Sequence, residues 1–127
     1  MNDFSVTTDM RRSLLHIVMQ GYWTQQIFDK FAAEYLDALQ RMKAAGGLEL
    51  ALVDGREFTI QAKEISEQFG TLIASCKPLH ARRTATVVPT HLNKLQAERA
   101  GGDMVARYFI DMDEAQAWLF GASAKAA

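Results

Sequence analysis

Leu48-Glu49-Leu50-Ala51-Leu52-Val53 is an almost unbroken apolar run of strand length, closed by Asp54-Gly55. A strand with no polar alternation is buried on both faces, and that is the mark of a parallel sheet covered by helices. The neighbouring segments agree. Upstream, Ile27, Phe28, Phe31, Tyr35, Leu36, Leu39 and Met42 recur at spacings of three and four, as on one face of a helix. Thr24 can cap that helix, and Gly46-Gly47 supplies its left-handed stop. Downstream, Ala62, Ile65, Phe69, Leu72, Ile73 and Cys76 form a second helical stripe that ends before Pro78.

Further out, Phe4–Thr8 alternates apolar and polar residues and Ser13–Gln20 is a denser apolar run, so the short Asp9–Arg12 link predicts an antiparallel hairpin. Thr84–Val88 is short and β-branched, and Pro89-Thr90 opens a third helix through about Ala100. Val105–Ile110 alternates again, and a fourth helix begins near Asp113 with Gln116 as its capping-box partner. The order is ββαβαβαβα. Strands joined by helical crossovers run parallel, which predicts an α/β fold: a mixed five-stranded sheet, first strand antiparallel, packed with four helices. Residues 1–120 form one domain, and 121–127, with little to bury, form a frayed tail. The expected core comprises Leu15, Ile17, Phe28, Phe31, Leu50, Leu52, Ile65, Phe69, Val87, Phe109 and Trp118.

Composition removes several functions. Fourteen Lys and Arg against fifteen Asp and Glu leave a formal charge of -1, so no global field gathers nucleic acid or an anionic membrane. Cys76 is the only cysteine, which excludes an internal disulfide and a Cys-based zinc site and fits a reducing, cytoplasmic setting. No stretch approaches the apolar length of a spanning helix, so no stable membrane insertion is expected.

Gly21-Tyr22-Trp23-Thr24 at the first helix, Leu52-Val53-Asp54 closing the middle strand, Arg83-Thr84-Ala85-Thr86-Val87-Val88, Arg107-Tyr108-Phe109 and Asp113-Glu114-Ala115-Gln116-Ala117-Trp118-Leu119 together resemble the SpoIIAA-like branch of the STAS family. The resemblance spans nearly the whole chain, and its motifs speak for fold more than function. Anti-sigma-factor antagonists of that family carry a phosphorylatable serine at the helix after the middle strand. Here the corresponding stretch, Asp54–Glu64, holds no serine, and Thr59 is its only hydroxyl. Thr59 reads as a helix cap before it reads as a phosphorylation site. The phosphoserine switch is therefore not carried over.

Tests for other chemistries are negative. His16, His80 and His91 show no metal-ligand spacing, and Cys76 sits on an apolar helical stripe without a partner base. Neither a dinucleotide fingerprint nor a P-loop occurs. Lys77, His80, Arg82 and Arg83 make a small basic run, read first as a solvated loop. No catalytic constellation, metal or cofactor is implied.

The expectation is a non-catalytic binding or regulatory module acting through protein contacts. The alternative is a carrier or sensor of a small amphipathic anionic ligand, because SpoIIAA-like proteins are similar in fold to CRAL-TRIO lipid-transfer domains. An enzyme drawing on Asp54, Arg56, Glu57, His91, Asp111 and Asp113 is the third reading. The expected site is a crevice at the carboxyl ends of the parallel strands, between the second and fourth, lined by Tyr22, Trp23, Thr24, Thr90 and His91 with Pro89, and with Asp54 and Arg56 nearby. Large apolar groups, including Trp23, Tyr35, Trp118 and Phe120, predict self-association as a homodimer.

Overall fold

In the computed structural model, which describes residues 3–92, 94, 95 and 106–126, the chain opens with the expected hairpin. β1 (Phe4–Asp9) pairs antiparallel with β2 (Leu14–Gly21). Its turn is set by Asp9, whose carboxylate accepts from the backbone N–H groups of Arg11 and Arg12, with Ser13 at a φ of 50°. α1 (Gln25–Ala44) follows, β3 (Leu50–Phe58) pairs parallel with β2, and α2 (Lys63–Ser75) leads through a short 3-10 turn (Lys77–Leu79) to β4 (Arg83–Val87). β4 pairs parallel with β3 and with β5 (Ala106–Phe109), and the C-terminal helix, α3, spans Met112–Ala126. That helix enters the stretch which the sequence reads as a frayed tail.

The sheet order is β1-β2-β3-β4-β5, mixed as expected, with three helices among the described residues. After β4, helical backbone appears at His91, Leu92, Lys94 and Leu95, and the Lys94 N–H donates to the Thr90 carbonyl at 3.0 Å. The rest of the expected third helix, and Val105, lie outside the described residues.

Adjacent residues point to opposite faces of a strand, so the two apolar clusters identify the two layers. Leu15, Ile17 and Ala51 face α1 and α2, together with Trp23, Phe28, Phe31, Leu39, Met42 and Ile65. Leu14, Leu50 and Leu52 face the other way, against Ala85, Val87, Ala115 and Leu119. Burial on both faces is what the unbroken apolar run of β3 requires.

Helix ends follow the local chemistry with two corrections. Thr24 caps α1 by accepting from the Ile27 N–H at 3.3 Å. At the other end, Gly47 N–H donates to the Met42 carbonyl and Gly46 N–H to that of Lys43, a Schellman stop made possible by φ values of 111° and 118°. Thr59 does not cap α2: the residue before that helix is Ala62, and four residues of linker separate it from β3. The start of α3 is held by Asp111, which accepts from the Asp113 N–H at 2.8 Å, in place of the expected Asp113 box.

Candidate functional site

β3 continues through Asp54-Gly55 to Phe58, where the sequence predicts a turn. Between the pairs Val18–Asp54 and Gln20–Glu57, β3 has one more residue than β2, which makes a β-bulge. A β-carbon on Gly55 would lie 3.1 Å from the Val87 carbonyl oxygen, so glycine here permits close approach of β4.

The bulge turns Arg56 back onto Asp54. The guanidinium donates from Nε to Asp54 Oδ1 at 2.9 Å and from Nη2 to Oδ2 at 2.8 Å, and the Arg56 N–H adds a third contact at 3.2 Å. These bonds hold the Asp54 carboxyl below the usual carboxylate range against the opposing effect of desolvation, with His16 adding a smaller electrostatic contribution. Glu57 and Asp113 also act on Arg56. Arg56 is thus paired with Asp54, and the negative charges of Glu57 and Asp113 add to its surroundings.

A lowered folded pKa contributes stability above the unfolded value of about 3.9, and that contribution fades as pH falls through the folded value. Because the Arg56 side chain is 48% exposed, the pair is worth less than about 1 kcal/mol. Asp54→Asn is therefore expected to lower the urea midpoint slightly at neutral pH and to match the native protein at strongly acid pH. A deficit of equal size at both would assign the loss to packing.

Two open grooves flank Arg56. One, of about 250 Å³, is lined by Arg56, Glu57, Phe58, Thr59, Ile60 and Pro89. The other, of about 330 Å³, is lined by Val18, Met19, Gln20, Asp54, Arg56 and Glu57. Of the expected site residues, the structure brings Asp54 and Arg56 together and sets Pro89 beside them. Tyr22, Trp23, Thr24, Thr90 and His91 line neither groove.

The crevice expected between the second and fourth strands is corrected by the sheet order, because β3 lies between them and no reversal of winding occurs there. Trp23 departs furthest from its expected place. It is 1% exposed, its ring lies within 5.6 Å of those of Phe4, Phe31, Phe58 and Phe69, and its Nε1 donates to the Gln20 carbonyl at 2.8 Å. Tyr22 instead is 61% exposed. The apolar surplus that suggests a homodimer is thus partly consumed within the chain: Trp23 is buried, Tyr35 stacks on Phe31, and Trp118 and Phe120 pack on the second cluster.

Gln61, which carries no signal in the sequence, organises this edge. Its Oε1 accepts from the Trp23 N–H at 2.8 Å, and its Nε2 donates to the carbonyls of Gly21 at 2.8 Å and Thr59 at 2.6 Å. A primary amide can accept and donate at once, so one side chain latches the exit of β2 to that of β3. Tyr22 is held outward between two latched neighbours. Among the described residues, no group of three or more His, Cys, Asp or Glu is placed to hold a metal ion, and no helix is long and apolar enough to cross a membrane.

No family model matches the sequence, and no curated protein matches it. A solved structure does: an uncharacterised protein of the DUF3478 family from Shewanella loihica PV-4, described as having a SpoIIAA-like fold. It is 17% identical, the match covers 94% of this chain and 95% of that one, and the TM-score is 0.72. The chain has a SpoIIAA-like fold. Identity this low carries the architecture alone. Within the SpoIIAA-like fold the loop after β3 has its own bonding here: Thr59 Oγ1 donates to the Gly21 carbonyl at 3.1 Å, joining the Gln61 latch.

Proposed function

We propose that the protein is a non-catalytic binding module of the cytoplasm, acting through protein contact at the carboxyl edge of its sheet. The observation that carries this reading is the exposure of Tyr22, Ile60, Leu92 and Leu95, which follow β2, β3 and β4 at that edge. The other exposed large apolar side chains among the described residues, Met10, Leu36 and Ile73, are scattered over the hairpin, α1 and α2. Apolar groups gathered at one edge and rimmed by polar ones are characteristic of a docking surface. The Gln61 latch favours this further, since a partner meets groups already held in place and less ordering is needed on binding. With Asp54, Glu57 and Asp113 beside it, the surface suits a partner that presents apolar and basic side chains together. The carrier reading has less support, because Trp23 and its aromatic neighbours fill the interior and the grooves beside Arg56 are small and open.

A photo-crosslinking residue placed at Ile60, with one at Ile73 as the control, tests the proposal in the host cell. The expected result is a discrete protein adduct at position 60, absent from position 73 and lost when Tyr22→Glu is added. Adducts to the protein's own chain would make a second copy the partner. Equal labelling at both positions would remove the reading.

A further inference from the structure

The formal charge of -1 leaves room for a local cluster of arginines at one end of the sheet. The helices joining and following parallel strands start at the carboxyl edge and run back, so their positive dipole ends share that edge. Two of the three have acids in the first turn, Glu64 in α2 beside Lys63 and Asp113 and Glu114 in α3, while α1 has none. Arg41 and Lys43 lie in the last turn of α1, toward the opposite end. That opposite end also carries arginines that no helix dipole requires.

Arg12 projects from the β1–β2 hairpin, Arg83 opens β4, and Arg107 is the second residue of β5. α3 returns to this end and sets Trp118 and Phe120 among them. The Arg83 guanidinium carbon lies 4.1 Å from the centre of the Trp118 ring, that of Arg107 lies 5.5 Å from the same ring, and that of Arg12 lies 4.2 Å from Phe120. Arg82 is paired with Glu49 at 3.2 Å, whereas no carboxylate among the described residues forms an ion pair with Arg12, Arg83 or Arg107.

We infer that this amino-terminal end is a recognition surface for a carboxylate-rich segment of a protein partner, with Arg12, Arg83 and Arg107 as the contacting groups. It is independent of the surface at the carboxyl edge. A guanidinium lying on an aromatic ring has one face covered and its in-plane N–H groups free to hydrogen-bond, the geometry that meets a carboxylate through two parallel bonds. The ring also orders the side chain in advance, which reduces the entropy lost on binding. Nucleic acid fits less well. Three phosphate contacts give a salt slope of only about -2 on a single strand, the mark of weak binding. Trp118 is also covered by Arg83, so that face is not open as a stacking platform for bases.

The test is fluorescence anisotropy with a labelled oligoglutamate peptide, and a labelled oligothymidylate of similar length as the competing chemistry. The native protein is expected to bind the peptide saturably at low salt and to release it as salt rises. The double variant Arg83→Ala/Arg107→Ala is expected to bind about tenfold more weakly or worse. Arg83→Lys/Arg107→Lys should restore little, because an ammonium keeps the charge without the planar fork. Should the double alanine variant lose its fold, Arg12→Ala on the exposed hairpin provides the same reading. Absence of peptide binding by the native protein, unchanged affinity in the folded alanine variants, full recovery with lysine, or tighter binding of oligothymidylate would each overturn the inference.

Discussion

Trp23→Ala is expected to destabilise the protein by about 4 kcal/mol, the middle of the range for truncating a buried aromatic side chain. The side chain is 1% exposed and is the meeting point of four phenylalanine rings contributed by β1, α1, β3 and α2. Truncation leaves a cavity bounded by elements that cannot all close in, because three of them are anchored in the sheet or in a capped helix. It also leaves the Gln20 carbonyl without the indole donor. Trp23→Phe, which keeps most of the ring, is expected to cost about 1–2 kcal/mol through the lost hydrogen bond and the smaller volume. Urea unfolding followed by circular dichroism measures both. If alanine and phenylalanine shift the midpoint equally and slightly, Trp23 is a surface group and the four rings do not enclose it.

Leu119→Ala is expected to cost about 3 kcal/mol on the other side of the sheet. Leu119 is fully buried with Ala115 against Leu14, Leu50, Leu52, Ala85 and Val87, and α3 is the helix that covers this cluster among the described residues. The two tryptophans report the two layers separately, Trp23 the α1–α2 side and Trp118 the α3 side. In a cooperative fold both emission signals are expected to move to the same lower urea midpoint in Leu119→Ala. An unchanged midpoint at Trp118 would show that α3 is not packed through Leu119.

Much of this architecture is legible in the chain because periodicity and burial agree. The alternation of Phe4–Thr8, the double-sided run of β3 and, but for the exposed Leu36, the three-and-four spacing from Ile27 to Met42 appear in the structure as the pattern implies. Eight of the eleven expected core residues are buried, and Phe69, Phe109 and Trp118 are half-buried against the same clusters, whereas Leu36 and Ile73, which belong to the two helical stripes in the sequence, are exposed. The remaining errors are of another kind. Asp54-Gly55 has the composition of a turn and is a bulge, because the requirement at Gly55 comes from the Val87 carbonyl on a neighbouring strand. Trp23 lies beside a helix start, where an amphipathic ring is often exposed, yet Phe4, Phe58 and Phe69 arrive from distant positions to enclose it.

The sequence by itself determined the order of the described strands and helices, the antiparallel first strand, the helix ends at Thr24 and Gly46-Gly47, and most of the residues that face inward. Those features depend on steric and capping rules that act over a few residues, and on a solvent preference each side chain carries with it. Tertiary structure alone decided the Gln61 latch, the folding of Arg56 onto Asp54, and the setting of Arg83 and Arg107 around Trp118. Each joins groups supplied by different linkers, strands and helices, or turned by a bulge between strands, and such partners leave no periodic trace in the chain.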